Sequence, residues 1–289
     1  MTEQACASIV SAEWLLAHLH DATVKVFDAS WHMRATGRDA GAEFVQRALP
    51  KARFFDIDVI CDPHSDLPHT LPSAQLFAQA VANLGVDSGD HVVVYDTVGI
   101  LSAPRAWWMF RAFGYTRVSV LNGGLPAWQR VGGALVMGSN CSTTAGSFSV
   151  ADLDSNALAQ HYIAVSELKN ALQSGSVTVL DARSEGRFAG REPEPRPQLA
   201  SGHMPGALNV PYGHCIDAAN GCLRTAEELD ALFGRLQLRS DKRIVSSCGS
   251  GITACVLALA LDCTHRTCRV FDGSWTEWAS AGCPICRDT

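Results

Sequence analysis

Short apolar runs rich in valine, isoleucine and phenylalanine alternate along the chain with longer stretches whose apolar residues recur three or four positions apart. The runs VKVFDAS at 24–30, HVVVYDT at 91–97, VSVLNGG at 118–124, VTVLDAR at 177–183, RIVSSCG at 243–249 and CRVFDG at 268–273 read as strands. SAEWLLAHL at 11–19 reads as an amphipathic helix with Ser11 at its N-cap. TAEELDALFGRL at 225–236 carries the capping-box pair Thr225 and Glu228, and ACVLALALD at 254–262 predicts a helix apolar on every face. Strands that alternate with helices predict an α/β fold, a mainly parallel sheet covered on both faces. Such sheets bind ligands at the carboxyl ends of their strands.

The strand pattern occurs twice. Asp28 of VKVFDAS corresponds to Asp181 of VTVLDAR, Asp96 to Cys248, and Trp128 of LPAW to Trp278 of WTEW, in the same order and at nearly constant spacing. This predicts two tandem domains, 1–138 and 157–289, joined by a linker at 139–156 rich in Ser, Thr, Gly and Asp. RALPKARFFD in the first half departs from SGHMPGALNV in the second at Ala48 and Lys51, which weakens the expectation of a shared turn there.

Composition narrows the field. The chain has 289 residues, 47% of them hydrophobic, 18% charged, and a net charge of −6 with no basic block, which argues against nucleic acid or anionic membrane as partner. No apolar run reaches the roughly 18 residues of a membrane span. The first twenty residues lack a basic leader, so a cytoplasmic protein is expected. Eleven cysteines scattered through a long chain read as reduced thiols rather than a disulfide framework. CTHRTC at 263–268 and CPIC at 283–286 offer zinc or redox chemistry on paper but read as packing and tail, so no metal is assigned. No strand is followed by the glycine pattern of a dinucleotide site, and no cofactor is expected.

Cys248 stands apart. It ends a strand, and Gly249, Ser250, Gly251, Ile252 and Thr253 lead directly into a helix. Glycines let such a loop curl until its amides face inward, and the helix start adds partial positive charge; both stabilise a thiolate over a thiol. The alternative is an inert buried cysteine in a helix-entry loop. Cysteine-based phosphatases use a similar cradle but close it with an arginine where this chain has Ala254.

The loop CGSGIT, closed by Ala254 between strand and helix, resembles the active loop of the rhodanese superfamily, and the doubled layout resembles its tandem members. FDAS, FFDID, SAPRAWWMFRAFG, GGLPAW, EPEPRP, SGHMPGALNVPY and FDGSWTEW extend the resemblance over nearly the whole chain, and CGSGITAC looks most like the 3-mercaptopyruvate sulfurtransferases. The resemblance implies a small-molecule donor, 3-mercaptopyruvate, whose sulfur passes to Cys248 as a persulfide and on to a thiol acceptor such as thioredoxin, or to cyanide. It implies that Arg187 and Arg196 hold the donor's carboxylate and keto oxygens while Gly249, Gly251, Ile252 and Thr253 line its sulfur. It also implies that Ser250, His69 and Asp58 move protons, with His64 the competitor of His69. On residues alone the arginines are equally loop charges paired with Glu192 and Glu194. Asp272 and Ser274 are candidate supports of the loop, Trp275 a candidate wall of the site, and Cys255 a core residue. The first half holds Asp96 where the second holds Cys248, so it is expected to be silent, its loop YDTVGILSAPR having lost the cradle pattern. Two other readings stay open: a thiosulfate–cyanide sulfurtransferase, and a persulfide-carrying binding module without turnover.

Overall fold

A computed structural model describes residues 8–139 and 144–288. Residues 1–7 of the expected first domain, 140–143 of the expected linker and 289 of the second lie outside the described residues. The chain forms two compact units. The first takes the chain up to Pro63, Leu71–Leu158 and Ala218–Leu223; the second takes His64–Thr70, Ala159–Asp217 and Arg224–Thr289.

In chain order the first unit contains β1 (Ile9–Val10), α1 (Ala12–His18), β2 (Val24–Asp28), α2 (Ala40–Gln46), β3 (Arg53–Phe54), α3 (Ala74–Asn83), β4 (His91–Tyr95), α4 (Ala103–Ala112), β5 (Val118–Leu121) and α5 (Gly124–Arg130). The short α6 (Leu158–His161) precedes β6 (Tyr162–Ile163), α7 (Val165–Gln173), β7 (Val177–Asp181), α8 (Glu185–Ala189), β8 (Leu208–Asn209), α9 (Ala226–Gly234), β9 (Arg243–Ser247), α10 (Ala254–Asp262), β10 (Cys268–Phe271) and α11 (Ser274–Ser280) of the second. Each unit holds one five-stranded sheet, ordered β1-β5-β4-β2-β3 and β6-β10-β9-β7-β8, and every pairing is parallel. The two sheets have the same order, as the duplicated strand pattern predicts.

The expected caps form. The Ser11 hydroxyl accepts from the amide of Trp14 at 3.1 Å, and Thr225 and Glu228 close a capping box at the start of α9. All five residues of β4 are buried, as suits a central parallel strand with helices on both faces. Eight of the nine residues of α10 are buried, so its all-round apolar pattern reflects a helix enclosed by its unit. Each large aliphatic side chain so buried is worth roughly 1.5–3 kcal/mol. The turn with Ala48 and Lys51 survives its departures. Lys51 adopts φ 63°, Gly206 in the second unit φ 73°, and matching antiparallel bridges join Ala48 to Val136 and His203 to Cys286. Among the described residues no helix is long and apolar enough to cross a membrane.

Candidate active site

Strand β9 delivers Cys248 to the carboxyl end of the second sheet, with only 2% of its surface exposed. The loop then reverses through Gly251, whose φ of +83° lies in the left-handed region open to glycine. From there the Gly251 amide donates to Cys248 Sγ at 3.2 Å. Helix α11 fixes the loop from behind. Its first amides have no partner within the helix; those of Trp275 and Thr276 donate instead to the carbonyls of Cys248 and Gly249, each at 3.0 Å. The Ser274 hydroxyl accepts from the Cys248 amide at 3.1 Å and itself donates to the Phe271 carbonyl at 2.8 Å. Ser274 therefore supports the loop as its position in FDGSWTEW suggested. Asp272 and Trp275 are buried, Trp275 beneath an arginine described next. Ser250 and Ile252 are buried too, and Thr253 occupies the N-cap of α10 without a side-chain bond to it.

Both predicted arginines lead to Gly249, the residue after Cys248. A Cβ on Gly249 would stand 2.9 Å from Arg187 Nη2, so this guanidinium lies against the bare glycine. The Thr276 hydroxyl donates to the Gly249 carbonyl at 2.7 Å and accepts from Arg196 Nη1 at 3.4 Å. The rival reading of these arginines is half realised. Glu194 does pair with Arg187, at 2.6 Å, whereas Glu192 accepts from the Ser184 hydroxyl. Glu194 is buried and also pairs with Arg183 at 2.9 Å, while Arg183 reaches Asp181 at 2.7 Å and lies 4.2 Å over the ring of Trp275. Burial works against charge on Arg183, but Asp181 and Glu194 overcome it and hold the group above its ordinary value. Glu194 thus ties a fully buried arginine to the half-buried Arg187. Arg191 is exposed.

The remaining sequence candidates divide. His69 is 5% exposed with φ 61°, and its segment, His64–Thr70, belongs to the unit that carries Cys248, whereas His64 itself is exposed. Asp58 is exposed and belongs to the first unit, where its carboxylate accepts from Trp31 Nε1 at 3.1 Å. No group of three or more His, Cys, Asp or Glu among the described residues is arranged to hold a metal. Cys283 is buried, and the carbonyl and amide of Cys286 bridge to His203.

The first unit corrects one expectation. Its loop after β4 has kept an amide cradle. Asp96 is fully buried, and its carboxylate accepts from the amides of Val98, Gly99, Leu101, Ser102 and Ala103 at 2.8–3.0 Å. The strand–loop–helix turn is therefore an anion holder in this unit, already filled by its own side chain. The sequence reading missed Arg183 and Thr276. The signal for Arg183 was available: it follows the strand aspartate where the first repeat has Ser30. Chemically, the second site joins a sulfur held by an amide to one guanidinium against the adjacent residue and a second linked to it through Thr276. That arrangement suits a sulfur nucleophile acting on a carboxylate-bearing substrate.

The family model for the rhodanese-like domain matches residues 11–131 and again 164–281. The chain belongs to the rhodanese family. It is 41% identical to human 3-mercaptopyruvate sulfurtransferase, over 95% of this chain and 93% of that one. It is 39% identical to a mitochondrial thiosulfate/3-mercaptopyruvate sulfurtransferase of Arabidopsis thaliana, over 94% of this chain and 76% of that one. Among solved structures it is similar to SseA from Escherichia coli, described as a 3-mercaptopyruvate sulfotransferase with the rhodanese fold. That likeness has a TM-score of 0.82 at 36% identity and covers 93% of this chain and 99% of that one. Both rhodanese-like units here carry the five-stranded parallel sheet, but only the second offers a thiol at the end of its fourth strand.

Proposed function

We propose that this rhodanese-like chain is a 3-mercaptopyruvate sulfurtransferase working through a persulfide on Cys248. The observation that carries the reading is Arg187 against Gly249, with Arg196 linked to the same residue through the Thr276 hydroxyl, beside the sulfur that Gly251 holds. In the first stage the Cys248 thiolate attacks the substrate's thiol sulfur. The carbon–sulfur bond breaks, its electron pair stays on carbon, and the resulting enolate takes a proton to become pyruvate. In the second stage an acceptor thiolate attacks the outer sulfur and Cys248 leaves as thiolate again. Arg187 and Arg196 bind the carboxylate and keto oxygens, and Gly249, Gly251, Ile252 and Thr253 surround the sulfur. Ser250 and His69 handle the protons, with His69 favoured over His64 by its burial. Asp58 is retained as the third member of the relay on the resemblance alone.

Residues 1–138 are proposed as a silent domain, because a carboxylate at Asp96 cannot carry sulfur, 139–156 as the linker, and 157–289 as the catalytic domain. A thiol acceptor, thioredoxin among the candidates, completes the cycle. The proposed placement is the reducing cytoplasm, where the nine described cysteines would stay thiols. Thiosulfate is the second candidate donor, since one relative bears both substrate names. Neutral Gly249 and Ser250 offer that dianion no cation within the loop. Comparing kcat/KM for the two donors tests the choice. The proposal expects mercaptopyruvate to be preferred, and a preference for thiosulfate would reverse it.

A further inference from the structure

The grip on the Cys248 sulfur does not end at Gly251. Cys255 is the second residue of α10, where an amide has no partner within the helix. Its amide donates to the Ile252 carbonyl at 3.1 Å, just before the helix. Its thiol donates to the Gly251 carbonyl at 3.2 Å. Cys255 is fully buried, and from the first turn of α10 its side chain faces back toward the loop. Gly251 is thus held at both polar atoms, its carbonyl by the sulfur of Cys255 and its amide on the sulfur of Cys248.

We propose that Cys255 is a positioning residue for sulfur transfer: its thiol anchors Gly251 so that the amide stays aimed at Cys248. The inference rests on the reading of Cys248 as the nucleophile. It also separates Cys255 from the role of a resolving thiol, since the bonded, fully buried sulfur is committed to a backbone carbonyl.

Alanine and serine are nearly equal in volume and differ by one hydroxyl donor, so Cys255→Ala and Cys255→Ser isolate the bond. Three quantities are read: kcat and KM for mercaptopyruvate, the thermal midpoint, and the rate at which iodoacetamide alkylates Cys248, followed by peptide mass. The Ala variant should lose about three- to tenfold in kcat and in alkylation rate, the worth of one modest hydrogen bond. Its KM should stay within about twofold, as for an interaction made with the reacting group. The Ser variant should recover both rates. Cys255→Val, a second donorless variant that leaves no cavity, guards against a fold lost through the smaller side chain. The proposal is overturned if Ala and Ser behave alike, if Val alkylates and turns over like wild type, or if only the thermal midpoint moves. The alkylation contrast requires no sulfur donor, so it stands or falls apart from the choice of substrate.

Discussion

The amide of Gly251 donates to the sulfur of Cys248 across 3.2 Å. The corresponding loop of the other unit closes five amides on the carboxylate of Asp96. One sequence plan, a strand running through a tight loop into a helix, has been built twice. In one copy it encloses a fixed anion; in the other it presents a group able to become one. The backbone supplies the field and the side chain decides whether chemistry follows.

Replacing Gly251 with alanine should therefore damage turnover more than folding. An alanine at a φ of +83° costs roughly 1–2 kcal/mol, and relief of that strain turns the amide off the sulfur. We expect Gly251→Ala to fold with a lowered thermal midpoint and to lose about tenfold or more in kcat, the worth of a hydrogen bond to a charged group. Steady-state kinetics beside a melting curve check this, and a variant with normal kcat speaks against it.

The arginines should reveal themselves through substrate binding. Arg187→Gly and Arg196→Gly should each raise KM for mercaptopyruvate by roughly tenfold or more, since each removes a charge-assisted contact. Neither should harm transfer from a donor lacking a carboxylate to the same degree. Equal losses with both donors would refute the assignment.

Gly249 should behave as a spacer for Arg187. A methyl group there would stand 2.9 Å from Nη2, the movable end of a side chain held by Glu194. Gly249→Ala is expected to leave the melting temperature nearly unchanged while raising KM for mercaptopyruvate. An unchanged KM would show that Arg187 need not rest there.

The first unit carries an opposed pair of titrations. Burial, the largest influence, pushes Asp28 up to about 6 against the bonds it accepts from Ser30. Its folded value lies above its unfolded one, so it adds stability at low pH that is lost as pH rises through about 4 to 6. Burial pushes His91 down to about 4, so its contribution is present above its unfolded value near 6.5 and is lost as pH falls toward 4. The two slopes offset each other in the wild type. Asp28→Asn should raise stability at pH 8 by up to about 3 kcal/mol and leave the His91 slope uncovered. Urea unfolding across this range checks the sign, and a profile parallel to wild type would contradict it.

Much of this arrangement could be read from residue order. β-branched runs revealed the strands because a parallel sheet buries both faces, and Cys248 drew notice because it ended one. Other features are invisible to periodicity. The amides around Asp96 belong to the backbone, which every residue shares, so VGILSA gives no sign of a cradle. Arg183 and Glu194 look like surface charges until their mutual burial is seen. Cys255 passes for one more apolar position in a buried helix, though its sulfur has a directed bond. His64 and His69 are alike in sequence; tertiary packing exposes one and encloses the other.

The most direct measurement is the intact mass of the protein after brief mixing with mercaptopyruvate in the absence of an acceptor thiol. One added sulfur atom, mapped to Cys248 and missing from Cys248→Ser, is the result expected. A wild-type mass left unchanged while pyruvate accumulates, or sulfur found on another cysteine, would contradict the account.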